Sequence, residues 1–248
     1  MDIEYEAIIK ARIPAFSGRD SRNNRLIIET LALHGPLIKY DIFKILRSTG
    51  IEHYSTISRR VDNMVKRGYL GVAGTRMITV GKRREESSTY SLTWRGFIAS
   101  LTSKAVSENI PAVFEKNPLL QFNLPYNVPK DLLINVIKEL FTPREISILA
   151  NAILLGFLKA LPRDVESIKE ENYITYVVPA FTEVPEIKEE IQERDWTRLL
   201  EIPGVNALLL DLVEKYEKQV RELLKGLRII KKELTRHKTD HPPLLAST

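Results

Sequence analysis

The chain has 248 residues, 44% hydrophobic and 28% charged, with a formal net charge of +5. That length suits one large domain or two small ones with a true core, and the composition excludes wholesale disorder. The absence of cysteine excludes disulfides, thiolate chemistry and sulfur-ligated zinc. The opening MDIEYEAIIK has no basic start followed by an apolar core, and no apolar run reaches the roughly 18–20 residues of a membrane span. The expectation is a cytoplasmic protein with no membrane partner.

Charge is distributed unevenly. Residues 1–100 hold 17 Lys/Arg against 10 Asp/Glu, a net of +7, whereas residues 101–248 hold 20 against 22, a net of −2. Basic charge gathered on one part of a chain suits a polyanion.

In chain order, residues 1–21 read as an N-terminal extension with a short helix over Ile3–Ala11 that ends before Pro14. Asn23 or Asn24 is placed to cap a helix running to His34, where Gly35-Pro36 stops it. A second helix fits Ile38–Arg47, with Ile42, Phe43, Ile45 and Leu46 inward. A third begins near Ser55: Ile57, Val61, Met64 and Val65 recur at i, i+4, i+7 and i+8, one face of a helix. Thr56, Arg59, Arg60, Asn63, Lys66 and Arg67 occupy the other face, and Gly68 is placed to end it. Tyr69–Val72 and Ser88–Leu92 read as strands around GTRMITVGKRREES, a basic hairpin region whose Met77–Val80 can lengthen the first strand. Thr93 is placed to cap a helix through about Ala105.

The order of these elements, more than any one residue, resembles the winged helix-turn-helix of PadR- and MarR-type repressors. The matching segments are HGPLIKYDI at the second-helix entry, STISRRVDNMVKRGYL at the reading helix and YSLTWRG at the return strand of the wing. The resemblance covers residues 22–105, about a third of the chain, and implies a double-stranded DNA partner. The residue chemistry agrees. Ser55, Thr56 and Ser58 can donate to phosphate or base edges, Arg59 and Arg60 can reach guanine or phosphate, and Asn63 can pair with adenine. Tyr54 is either a core plug or a phosphate contact, with contact favoured. In the wing, Arg76, Lys82, Arg83 and Arg84 would meet backbone or minor groove. Lys66 and Arg67 read as backbone contacts or plain surface, and Trp94 as packing between the wing and the next helix.

Residues 107–129, with Pro111, Pro118, Pro125 and Pro129, read as a Pro-rich linker. Residues 130–238 read as a helical C-terminal domain with helices over Lys130–Phe141 and Pro143–Leu161, a short piece at Val165–Glu171 and acidic stretches at Pro185–Arg194. Tyr173–Phe181 is ambiguous. A long helix over 203–238 carries Leu209, Leu212, Tyr216, Val220, Leu223, Leu227, Ile230 and Leu234 at spacings of three and four, close to a coiled-coil seam. It is the expected dimer contact, and 239–248 a loose tail. The basic run 225–238 is either a second DNA stripe or, preferred, charge that balances the end of that helix.

The fold expected is mainly α with a small β-wing: an N-terminal winged helix-turn-helix over 22–106 plus a helical C-terminal domain ending in a long helix. The function expected is a sequence-specific, homodimeric transcriptional regulator of archaeal or bacterial type, not an enzyme. Its two reading helices would meet half-sites about one turn apart. No cofactor is expected. His34, His53, His237 and His241 are scattered, which gives no metal site, and no phosphate loop, nucleophile elbow or H-E-x-x-H motif occurs. The helical interior could hold a small-molecule effector of unknown kind, though a plain core is preferred. The alternatives are an architectural or replication-linked DNA binder with little sequence preference, and a winged-helix protein-interaction module.

Overall fold

The computed structural model describes residues 3–80, 83–120 and 130–169 without a break, residues 172 and 197, and most positions of 201–228. The chain is mainly helical, with one two-stranded antiparallel sheet among the described residues.

The first helix, α1 (Ile3–Arg12), and a 3-10 turn at Pro14–Phe16 are part of the core, not an appended extension. Ile9, Ile13, Ala15 and Phe16 are buried, and α1 packs on a helix 130 residues away. The Arg25 guanidinium lies 4.7 Å over the Phe16 ring and pairs with Glu6 at 2.8 Å. The next helix, α2 (Ser21–His34), starts two residues before Asn23. Neither asparagine caps it. Asn24 is buried inside the helix and donates from Nδ2 to the Ala15 carbonyl at 2.7 Å, fastening the lead-in to α2. Asp20 stands at the N-cap without a side-chain cap bond, because its carboxylate pairs with Arg60.

Two short helices complete the helix-turn-helix: α3 (Lys39–Leu46), followed by a 3-10 turn at Arg47–Thr49, and α4 (Tyr54–Lys66). α4 buries Ile57, Val61 and Met64, three of the four residues its periodicity predicts; Val65 is half-buried. It ends in two nested bonds, Tyr69 N–H to the Met64 carbonyl at 2.9 Å and Gly68 N–H to Val65 at 3.0 Å. That pattern needs a left-handed residue between them, and Gly68 supplies it at φ 75°.

β1 (Leu70–Val80) pairs antiparallel with β2 (Arg83–Leu92), from Leu70 opposite Leu92 to Val80 opposite Arg83, with one irregularity between Val72 and Gly74. Both strands are far longer than Tyr69–Val72 and Ser88–Leu92. What reads as a basic loop is paired strand, because β-branched and hydroxyl residues alternate through ITV and SSTY. Leu37 adds an antiparallel bridge to Tyr90, with mutual bonds of 3.1 and 2.8 Å. The order α2, Leu37 bridge, α3, α4, β1, β2 is that of a winged helix-turn-helix.

Thr93 caps α5 (Trp94–Ser100), its hydroxyl accepting from the Gly96 N–H. The helix does not continue to Ala105. It breaks at Leu101–Ser103, where Ser100 and Thr102 turn their hydroxyls back to the carbonyls three residues earlier. After the break come α6 (Lys104–Ser107) and α7 (Ile110–Lys116). Pro111 lies in the first turn of α7 and is buried, so it starts a helix where a linker is expected. Over 107–120 the chain is folded onto α2: Val113, Phe114 and Leu120 belong to the core, and buried Asn117 donates to the Ala32 carbonyl and accepts from Ser91.

α8 (Lys130–Leu140) and α9 (Pro143–Ala160) stand close to their sequence bounds. Thr142 and Glu145 cap α9 reciprocally. α9 buries Ile146, Ala150, Leu154, Phe157 and Leu158 against α1 and α6, while Ile148 is exposed. One buried cluster therefore runs from Ile9 to Ile168 and joins both expected domains. Of the expected piece Val165–Glu171, residues 165–169 are described, and they hold a 3-10 turn at Val165–Ser167. The described positions from Val205 to Arg228 are helical. Tyr173–Phe181, Pro185–Arg194 and 239–248 lie outside the described residues.

Candidate nucleic-acid interface

The 3.6-residue repeat that buries Ile57, Val61 and Met64 turns Ser55, Arg59, Asn63 and Lys66 outward, and all four are exposed. Thr56 and Ser58 flank this stripe and are half-buried. Arg60 does not belong to it. Its side chain is 14% exposed and held by Asp20, with Nε buried and unpartnered. Arg67 is turned away as well, pairing with Glu166 at 2.5 Å and lying 5.7 Å from the Tyr69 ring centroid. One basic face in the sequence is thus two in space: a free pair, Arg59 and Lys66, and a structural pair, Arg60 and Arg67.

Tyr54 packs on neighbouring rings but does not plug the core. Its ring meets Phe43 edge-on at 5.9 Å and tilts toward Tyr40 at 6.3 Å, yet the residue is exposed. Tyr40 is more exposed still, and sequence reasoning missed it. The signal was available: with Ile42 and Leu46 inward on α3, position 40 faces out. Lys39 was missed too. It donates to Asp62 at 2.6 Å and sits over the Tyr90 ring at 5.7 Å. Partial burial is the largest single effect and works against its ammonium, but the Asp62 bond together with the electrostatic pull of Tyr90, Asp62 and Tyr54 raises the pKa above the ordinary lysine value.

In an antiparallel pair, opposed residues share a face. Arg76 therefore stands with Ser87, Ile78 with Glu85 and Thr79 with Arg84. Alternation puts Arg83 and Arg84 on opposite faces of the wing, both exposed. Glu85 and Glu86 follow them, one per face, and Glu86 accepts from the Thr75 hydroxyl. Positive charge is thereby concentrated at the distal end, while Lys82 itself lies outside the described residues. Arg76 is nearer the root and ties the wing to α3 through Asp41 at 2.9 Å. Trp94 packs on Phe97 of its own helix and Phe114 of α7, at 5.7 and 6.0 Å.

Of the expected dimer contacts, Val220 and Leu227 are described, and each is more than half exposed. Leu209, Leu212, Tyr216, Leu223 and Ile230 lie outside the described residues. Leu210, Val213 and Leu224 are exposed as well. Among the described residues, no three acidic or histidine side chains converge on a cation site, and no single helix is long and apolar enough to cross a membrane.

No protein-family model matches the chain, and no curated protein matches it. Among solved structures it is similar to the crystal structure of Bacillus subtilis PadR in complex with operator DNA. Identity is 14%, the match covers 68% of this chain and 96% of that one, and the TM-score is 0.24.

Proposed function

We propose that the protein is a sequence-specific, double-stranded-DNA-binding transcriptional regulator that acts as a homodimer in the cytoplasm, by binding and not by catalysis. The observation that carries this reading is the outward stripe Ser55, Arg59, Asn63 and Lys66 on α4, set beside a long wing with Arg83 and Arg84 near its tip. A helix with short polar groups at its start and a free arginine one turn on suits the major groove. A projecting basic hairpin suits the backbone or minor groove alongside. At about 3.3 Å per residue, the wing from Thr75 to Val80 extends roughly 17–20 Å.

The homodimer is supported by the exposed helical residues Leu210, Val213, Val220, Leu224 and Leu227. Their spacing of 3, 7, 4 and 3 keeps a heptad seam with Glu217 at its one polar position. Two copies would place two reading helices on a near-palindromic site.

The test is enrichment of bound fragments from a genomic pool, at several salt concentrations, with Arg59→Ala alongside. One near-palindromic motif, lost in the variant, is the expected result. Salt-sensitive binding without a motif would replace this reading with an architectural one. No binding at any salt would remove DNA as the partner.

A further inference from the structure

At the C-terminal end of α4, around its Gly68 turn, three distant stretches of chain meet. Arg95, on α5, donates from Nε to the Val165 carbonyl at 3.1 Å, from Nη2 to Ile168 at 3.0 Å and from Nη1 to the Arg67 carbonyl. Glu166 accepts from Arg67 at 2.5 Å and from the buried Tyr69 hydroxyl at 2.8 Å. The Ala15 N–H reaches the same hydroxyl at 3.4 Å. Arg12, at the end of α1, donates to the Arg163 carbonyl. Asp164 holds the turn that presents Glu166, accepting from the Glu166 and Ser167 N–H groups at 2.9 Å each.

None of these groups faces the DNA stripe of α4. They hold Arg67, Gly68 and Tyr69, the three residues between the reading helix and the wing. The turn that holds them continues directly from α9.

We propose that Glu166 is a positioning residue for DNA binding: through Arg67 and Tyr69 it sets the angle between α4 and the wing, and so makes that angle depend on the placement of α9. This inference rests on the DNA reading above. A reading helix and a wing must meet the same duplex together, so a small rotation at their junction misplaces one of them. The Arg95 fork and the Glu166 carboxylate remove that freedom. Any event that shifts α9 reaches the reading helix through this joint, which is a contiguous path of bonded groups.

The test uses the full chain and a duplex the wild type binds, measured by fluorescence anisotropy well below the melting midpoint, with Glu166→Ala, Glu166→Gln, Tyr69→Phe and Arg59→Ala. Removing a negative charge from a DNA binder should tighten binding on electrostatics alone. Positioning predicts the opposite sign: Glu166→Ala weakens binding roughly 3- to 30-fold with an unchanged salt slope, and Glu166→Gln, which still accepts from Tyr69, recovers part of the loss. Arg59→Ala instead lowers the salt slope by about one. Equal or tighter binding by Glu166→Ala, or by Tyr69→Phe if the alanine variant fails to fold, overturns the proposal while leaving the DNA reading intact. A wild type that binds no duplex overturns both.

Discussion

Arg59 and Arg60 are neighbours in the chain and part company in space. A step of 100° along a helix carries Arg59 onto the solvent side and Arg60 onto a flank, where Asp20 waits. Arg59→Ala is expected to weaken duplex binding about 10- to 100-fold and to leave the melting temperature nearly unchanged. Arg60→Ala is expected to cost about 1–2 kcal/mol of stability, because Asp20 keeps some water at 38% exposure; its DNA affinity, measured on folded protein, should fall little. Thermal melts and anisotropy on both variants check this contrast, and equal behaviour would contradict the separation of a free and a structural arginine. Gly96 makes a second residue-scale case. A Cβ there would stand 2.1 Å from the Tyr69 carbonyl oxygen, so Gly96→Ala should destabilise by about 3 kcal/mol, readable as a lower urea midpoint. Sequence inspection placed the arginines on α4 correctly but could not separate them, since Asp20 is 40 residues away.

At the scale of elements, α4 and the wing differ in how far periodicity reveals them. The α4 apolar repeat and its Gly68 stop define the helix to within a residue at either end. The wing carries hydroxyl, basic and acidic residues that read as loop, and only their pairing makes them strand. The joint between the two elements has a titration signature. Burial first, and then the bond to Glu166, push the Tyr69 hydroxyl above its ordinary value of 10.0. An unfolded chain therefore releases this proton before the folded one does. The stability that depends on the neutral hydroxyl is complete below about pH 10 and is lost as pH rises through the alkaline range above it. Melts recorded from pH 8 to pH 11 should show Tyr69→Phe to be less stable than wild type at pH 8, with a shallower alkaline decline. A parallel pair of curves would remove Tyr69 from the joint.

For the whole molecule, the described core is one cluster from Ile9 to Ile168, so α4, the root of the wing and α9 share a single buried interior. Cooperative unfolding follows: residues 3–169 are expected to melt in one transition, with far-ultraviolet and tryptophan signals coinciding. The proposed dimer rests on the exposed apolar residues Leu210, Val213, Val220, Leu224 and Leu227. Replacing Val220 and Leu227 together by glutamate puts charges on the seam of each copy, and sedimentation should then show a monomer where the wild type sediments as a dimer. A dimer that survives both changes would move the interface elsewhere.

Local signals account for much of this molecule. Helix repeats, the Thr93 and Thr142 caps, the Gly68 stop and the run of basic residues after it all act within a few positions, so α4, α5, α8 and α9 and the existence of a wing are legible from residue order. The bulk net charge and the outward side of α4 are legible for the same reason. Burial of α1, the folding of 107–120 onto α2, and the pairing of Arg60, Arg67 and Arg76 with Asp20, Glu166 and Asp41 depend on groups from 35 to 146 residues apart. A single sequence carries no periodic trace of such encounters, because an ion pair or a docked helix needs only compatible surfaces, not a pattern. The outward basic face of α4 was therefore visible in outline, and which of its cations point to solvent was decided by packing.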